Sequence, residues 1–346
     1  MINRLDKVRR AMKRLGLDAL LVSNPANIFY LSGFEGCDSL LVLTLSDCYI
    51  LTDFRYAEEA FAAAKGFLII SEGPSIYEKF AYVIKKSKAG RVGFEPHYMP
   101  VRDSELLGCA SCLELRKTSY IIERLRAVKD AHEIAAIKRS ASIARKTLEL
   151  ISSQIIPGRG ERQTAGRVNY YMSRFGADMP SFNTIVLSGP NSSLPHGRPS
   201  DRVFEVSDMI MVDFGARAKG YSSDLTRMFF VGKISKSVNT IYNIVKTAQL
   251  KAIEKIRPGV KISDIDKAAR SYIAGKGFEK YFGHATGHGI GIDVHELPRI
   301  SSKNNSRLAQ GMVFSIEPGI YLPGRFGIRI EDMVMVTGAG CEVLTR

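Results

Sequence analysis

No stretch of this 346-residue chain approaches the ~18 consecutive apolar residues that a helix needs to span a bilayer. Its start lacks the basic segment and apolar segment of a secretory signal, and its five cysteines are an odd number. Both absences lead to the expectation of a soluble protein of the reducing cytoplasm, with no membrane partner. Cys109-Ala-Ser-Cys112 is a CxxC without a second pair or a neighbouring histidine, so it reads as two incidental half-buried thiols rather than a zinc or redox site. Acidic residues are in the minority, 35 against 49 basic, for a net charge of +14. That balance raises the question of nucleic acid. The basic side chains are scattered over polar helix faces, however, as in Lys7-Val-Arg-Arg-Ala-Met-Lys-Arg14, and are not interleaved with aromatics that could stack bases. No nucleic-acid partner is expected.

The length exceeds one typical domain without demanding three. Ile2, Leu5, Val8, Met12 and Leu15 mark one face of a first helix, Gly16 ends it, and Asp18-Ala-Leu-Leu-Val-Ser starts a strand. The alternation continues through Ser39-Leu-Leu-Val-Leu-Thr-Leu, Cys48-Tyr-Ile-Leu-Thr and a helix around Arg55 to Ala64. This is a small α/β domain, expected over residues 1–122, with no cluster of catalytic residue types. A long helix with Ile134, Ile137, Ala141, Ala144, Leu148 and Ile151 on its core face opens a second domain, expected over 123–346. That domain contains a repeat. Ile155-Ile-Pro157-Gly158 follows one helix and leads to Ala165-Gly-Arg167; Ile256-Arg-Pro258-Gly259 follows another and leads to Ala268-Ala-Arg270. Each half reads helix, Pro-Gly turn, helix, strands, and a duplicated half-unit would leave a cleft between its copies.

Carboxylates stand within or directly after apolar runs in the last third of the chain. Met209-Ile-Met-Val-Asp213-Phe is a buried-strand pattern, Lys219-Gly220 a turn, and Tyr221-Ser-Ser-Asp224-Leu-Thr-Arg-Met-Phe-Phe-Val231 a second strand, so one hairpin carries both aspartates. Met312-Val-Phe-Ser-Ile-Glu317-Pro-Gly places a glutamate where Pro318 stops the ladder. In Phe326-Gly-Ile-Arg-Ile-Glu-Asp the alternation puts Ile328 and Ile330 on one face and Arg329 and Glu331 on the other. Isolated anions in such settings cost several kcal/mol each, and a cation removes that cost. Three of the six histidines fall in the glycine-rich Gly283-His284-Ala-Thr-Gly-His288-Gly-Ile-Gly-Ile-Asp-Val-His295-Glu296. Taken singly, each is an ordinary loop or core histidine; together with four carboxylates they form the inventory of a metal site. Asp213, Asp224, His288, Glu317 and Glu331 make an oxygen-rich set without a thiol. It favours Mn²⁺ or Co²⁺ over structural Zn²⁺, and it has too many carboxylates for a single ion. Two adjacent cations that generate a hydroxide and stabilise an oxyanion follow as the expectation.

In order and spacing, Val-Asp213-Phe-Gly-Ala, Ser-Asp224-Leu-Thr-Arg, Gly-His288-Gly-Ile-Gly, His295-Glu, Ile-Glu317-Pro-Gly and Arg329-Ile-Glu331-Asp resemble the pita-bread metallopeptidases. Leu-Pro-His196-Gly-Arg-Pro-Ser-Asp and the extra N-terminal region are similar to the Xaa-Pro branch, prolidase and aminopeptidase P. Asn24-Pro-Ala-Asn-Ile-Phe-Tyr-Leu-Ser-Gly and Thr52-Asp-Phe-Arg-Tyr resemble the creatinase and prolidase N-terminal domain, which in that group helps form a homodimer and covers the active-site mouth. The resemblance implies a creatinase-like α/β domain followed by a pita-bread domain with a pseudo-twofold repeat. It implies two divalent ions, Mn²⁺ or Co²⁺ with Zn²⁺ as a further candidate. Asp213 would bind one, His288 and Glu317 mainly the other, and Asp224 and Glu331 would bridge them. Glu317 would act as general base beside the bridging hydroxide, and His295 and His196 would hold the substrate and its oxyanion. His284 would support them, Arg329 would pair with a metal-bound carboxylate or contact substrate, and Arg299 would clamp the free carboxylate of an Xaa-Pro dipeptide. Bonds before proline resist general peptidases because their nitrogen carries no hydrogen. The activity implied is an Xaa-Pro dipeptidase; an aminopeptidase acting on longer peptides and a non-catalytic binding module of the same fold are the alternatives. Asn183 stands where the family often has aspartate.

Overall fold

The computed structural model describes residues 2–346, with side chains from residue 4. Two compact units divide the chain, one ending at Arg126 and the other Ala127–Arg346. In the first, a mixed six-stranded sheet runs in the order Leu68–Ile70, Cys48–Leu51, Leu40–Thr44, Ala19–Val22, Val92–Phe94, Arg116–Lys117. The helix Ile2–Arg14 buries Val8 and Met12 completely. Leu15, expected on that face, lies past the helix end and is exposed, and the side chain of Ile2 lies outside the described residues. Cys109 and Cys112 are free and exposed rather than half-buried, because they sit at the outer end of the helix Val101–Ser111, which buries only Leu107. Among the described residues no helix is long and apolar enough to cross a membrane.

The second unit is built twice from one plan. The long helix Ala131–Ser152 begins with a capping box in which Asp130 and Glu133 exchange hydrogen bonds with each other's backbone. It is followed by Pro157-Gly158, the helix Glu161–Arg174 and strands; the helix Lys236–Ile253 is followed by Pro258-Gly259, the helix Ile262–Gly275 and strands. The correspondence extends to single hydrogen bonds. Gly158 donates to the Phe204 carbonyl (2.9 Å) and Gly259 to that of Leu308 (2.8 Å), while Phe204 donates back to Arg159 (2.8 Å) and Leu308 to Val260 (2.9 Å). Aligned by these turns, Asn169 rather than Arg167 is the counterpart of Arg270, which corrects the pairing expected from the tripeptides. Each pair of helices covers its own apolar core, one containing Ile143, Ala144, Val168, Ile210, Val212 and Phe214, the other Val245, Ala248, Ile265, Ala269, Phe314 and Ile316.

Each half also contributes a long hairpin that breaks midway. In the first, Met209–Phe214 pairs with Leu225–Phe230, and beyond the break Ala216–Ala218 pairs with Tyr221–Ser222 around a turn whose Lys219 and Gly220 both have positive φ. The uninterrupted strand expected from Tyr221 to Val231 is cut at Ser223 and Asp224. The hydroxyl of Ser223 accepts the Ala216 N–H (2.9 Å), and the Ser222 N–H turns away to Gly291 (2.7 Å). In the second, Val313–Ile316 pairs with Asp332–Val336, and Gly319–Leu322 with Phe326–Arg329. Pro318, without an N–H, interrupts one strand, and the Glu331 N–H leaves the other for the Thr226 carbonyl (3.2 Å).

The matched turns yield a matched cost. Gly158 and Gly259 have φ of +82° and +84°, with nothing within 4 Å of a Cβ added at either. Gly158→Ala and Gly259→Ala should therefore each destabilise by about 1–2 kcal/mol, from backbone conformation alone. Urea unfolding of the two variants measures this, and widely different losses would mean that the turns are not equivalent.

Candidate metal centre

Period-two alternation aims the two hairpins at each other. Ile210, Val212 and Phe214 enter the first core, which leaves Asp213 on the opposite face. Thr226 is its cross-strand partner, and Asp224, two residues earlier, shares that side. In the second hairpin Phe314, Ile316, Ile328 and Ile330 enter their own core, and Ser315, Glu317, Arg329 and Glu331 point away from it. The faces meet: Thr226 donates to Glu331 Oε2 (2.7 Å), and Arg329 reaches Asp213 Oδ2 (2.5 Å) and Thr226 Oγ1 (3.1 Å). Asp224, Glu317 and Glu331 lie at the breaks, where the ladder ends.

His288 enters from Gly287–Gly289, a strand laid against Val313–Ile316. The approach is so close that a Cβ on Gly287 would stand 1.9 Å from the Ser315 carbonyl oxygen. Its Nδ1 faces the Gly289 carbonyl (3.1 Å), so donation there leaves Nε2 directed at Glu317 Oε1 (3.3 Å) and Asp224 Oδ2 (3.6 Å). Donor atoms of Asp224, His288 and Glu331 lie within 4.8 Å of one another.

Three carboxylates in this cluster use one oxygen within the protein and leave the other buried with nothing to accept. Asp213 Oδ1, Asp224 Oδ1 and Glu331 Oε1 have no hydrogen-bond partner. A buried anionic oxygen without a donor is costly. A divalent cation fits this set: acidic oxygens and one imidazole, no thiol, and buried lone pairs without donors.

The protonation pattern reflects the same crowding. Burial first, then Glu331, Asp213 and Glu317, raise the Asp224 carboxyl well above its usual range. Burial, Glu317 and Asp213 push Glu331 up to about 8, and burial also raises Asp213 against the pull of Arg329. At Glu317 burial again opposes charge, but the hydrogen bond and charge of His288 hold it down at about 2. His288, despite burial, is raised to about 9 by Glu317 and Glu331.

The remaining candidates divide into two groups. Arg329 is buried and fully engaged, by Asp213, Thr226, the Pro195 carbonyl (3.0 Å) and the Tyr321 hydroxyl (2.9 Å), so its guanidinium serves the cluster and is not open to a substrate. Tyr321, which the sequence did not single out, also meets His284 Nε2 (3.0 Å), and burial raises its hydroxyl to about 12. Its only signal was its position in a short strand behind Pro318-Gly319. His295, His196 and Arg299 are exposed. The His295 ring packs edge-on against His288, with centroids 4.3 Å apart, and His196 lies within electrostatic reach of both His284 and His295. Arg299 is the cross-strand partner of His288, which places it on the same side of the sheet. Asn183 is exposed, between the strands Met179–Pro180 and Ile185–Ser188.

Comparison with known proteins agrees along the chain. The pattern of metallopeptidase family M24 matches residues 135–338, and that of the creatinase/prolidase N-terminal domain matches residues 4–128. An Xaa-Pro dipeptidase of Pyrococcus horikoshii is 35% identical, over 100% of this chain and 97% of its own. The solved structure of an Xaa-Pro dipeptidase from Bacillus anthracis superposes with a TM-score of 0.97 at 37% identity, covering 100% of this chain and 97% of that one. An X-Pro aminopeptidase from Thermotoga maritima gives 0.89 at 35% identity, covering 97% of each.

The raised acids set a pH dependence. In the metal-free protein Glu331 and Asp224 keep protons that an unfolded chain releases near pH 4, so the folded state binds more protons until about 8 for Glu331. His288 adds the same sign between its ordinary 6.5 and about 9. Stability of the chelator-treated protein therefore falls as pH rises from 5 to 8. Mn²⁺ should raise Tm by an increment that grows with pH, and calorimetry in buffers of different ionisation enthalpy should register proton release on binding. A pH-independent Tm without metal would contradict this electrostatic picture.

Proposed function

The chain belongs to metallopeptidase family M24, and from that premise we propose that it is a dinuclear metal-dependent exopeptidase that cleaves the bond before proline in Xaa-Pro dipeptides. Its catalytic unit has the pita-bread fold, and its first unit is of the creatinase/prolidase type. The observation that carries the reading is the trio of bare, buried oxygens on Asp213, Asp224 and Glu331, together with donor atoms of Asp224, His288 and Glu331 within 4.8 Å of one another. Asp213 would hold one ion, His288 and Glu317 the other, and Asp224 and Glu331 would contribute to both. Mn²⁺ or Co²⁺ suits the donors, with Zn²⁺ as a further candidate. When bound, such a pair supplies hydroxide at neutral pH and positive charge for the oxyanion of a tetrahedral intermediate.

The chain's own groups do the rest. Glu317, ionised throughout the working range, takes the proton of the attacking water and delivers it to the leaving prolyl nitrogen. His295 and His196, exposed at the edge of the cluster, hold the scissile carbonyl and the substrate backbone. His284, linked to Tyr321, supports them. Arg329 keeps Asp213 in place, and Arg299 clamps the substrate carboxylate. A reducing cytoplasm and a homodimer complete the proposal.

The similarity to an X-Pro aminopeptidase favours a second reading, an enzyme that accepts longer peptides. Assays with Ala-Pro and Ala-Pro-Ala in Mn²⁺ separate the two. The dipeptidase reading expects rapid cleavage of Ala-Pro alone and a KM for Ala-Pro raised about tenfold or more in Arg299→Ala. Comparable tripeptide rates would overturn it, and cleavage of neither would leave a binding module. Asp224→Asn should lower turnover more than about a hundredfold. It should not destabilise the metal-free protein, because the carboxyl it replaces already holds a proton there; a variant with normal Mn²⁺-dependent activity would refute the two-ion scheme.

A further inference from the structure

His196 makes no side-chain hydrogen bond among the described residues, so its direction is set by the backbone of the segment 189–200 that carries it. That segment runs from the end of the strand Ile185–Ser188 through a short 3-10 helix, Gly189–Ser193, to Ser200. Both of its ends converge on one carboxylate. Glu161, at the first position of the helix Glu161–Arg174, is completely buried. Its Oε1 accepts the Ser188 N–H (2.6 Å), the Ser188 hydroxyl (2.8 Å) and the Asn191 amide (3.1 Å). Its Oε2 accepts the Ser200 N–H (2.8 Å), the Ser200 hydroxyl (2.7 Å) and the same Asn191 amide (3.2 Å). Farther along, Ser192 accepts from the Gly327 N–H (2.9 Å), and the Pro195 carbonyl, directly before His196, accepts from Arg329.

We propose that Glu161 is a positioning residue for the reaction: it staples the two ends of the His196 segment together and so fixes where that imidazole meets the substrate. The inference rests on the exopeptidase reading. The repeat supplies an internal control, because the helix Ile262–Gly275 begins with Ile262 where its counterpart has Glu161, and both residues give their backbone N–H to a carbonyl of the returning chain. The helix–turn unit therefore forms without a carboxylate at this position, and the acid is tied to what only the first half carries, the His196 segment. A carboxylate is needed because two backbone N–H donors approach its two different oxygens; a glutamine would set an NH₂ against one of them.

The test is a double-variant cycle on Ala-Pro hydrolysis in Mn²⁺, with hydrogen exchange on the same proteins. Glu161→Gln should lower kcat about 10- to 100-fold. In a His196→Ala background it should lower kcat by less than about threefold, because the group it positions is gone. Equal factors in both backgrounds would assign Glu161 a merely structural role and overturn the proposal. Exchange should accelerate across 189–200 in Glu161→Gln while the hairpins bearing Asp213 and Glu331 stay protected. Unchanged exchange in the segment would also overturn the staple, even if the wild type cleaved no Xaa-Pro bond and the exopeptidase reading fell by itself. Should Glu161→Gln not fold, Ser200→Ala removes one bond of the set, and the same cycle with the same two outcomes applies.

Discussion

Four carboxylates and an imidazole are drawn into one buried space with the guanidinium of Arg329 against one of them, and that electrostatic crowding is the constraint around which the catalytic unit is arranged. Without a divalent ion the charge is met by protons: on Glu331 and Asp224, whose carboxyls are pushed up, and on His288, which is raised to about 9. The chain tolerates this because the carboxylates are divided between two hairpins, each anchored by its own core, so neither core has to absorb the whole repulsion.

Arg329 ties the arrangement together. It neutralises one oxygen of Asp213, bonds the Thr226 hydroxyl that itself donates to Glu331, and holds the carbonyl that precedes His196. One buried side chain thus links the carboxylate-bearing faces of both hairpins to the segment that carries His196. A second charged contact acts near His295. Glu296 is paired with the buried Lys129 (3.4 Å) and accepts the Asp293 N–H (2.9 Å), which ties the loop before His295 to the start of the unit.

Much of this was legible because lone acids in apolar strands are rare and costly. Asp213, Glu317 and Glu331 could be picked out from their neighbours alone, and period-two alternation gave Arg329 and Glu331 their common face. The Pro-Gly turns revealed the duplication. The strand breaks were not legible at Ser223, because a serine that replaces a ladder bond resembles any other serine in a strand. Nor were Tyr321, Glu161 or the Lys129–Glu296 pair, whose meaning arises from partners 8 to 167 residues away. The exposed CxxC and Leu15 were misread for a similar reason: a pattern fixes which face a residue takes, but not whether anything covers the end of a helix.

The duplication is not symmetric in chemistry. The first hairpin offers two aspartates; the second offers two glutamates, each one methylene longer, and only on that side does an imidazole enter. Asp213 is further set apart by sharing its charge with Arg329. A scaffold copied from one template therefore presents two unlike sets of donors, so the two ions proposed for it would be held with unequal strength, and one would be lost before the other.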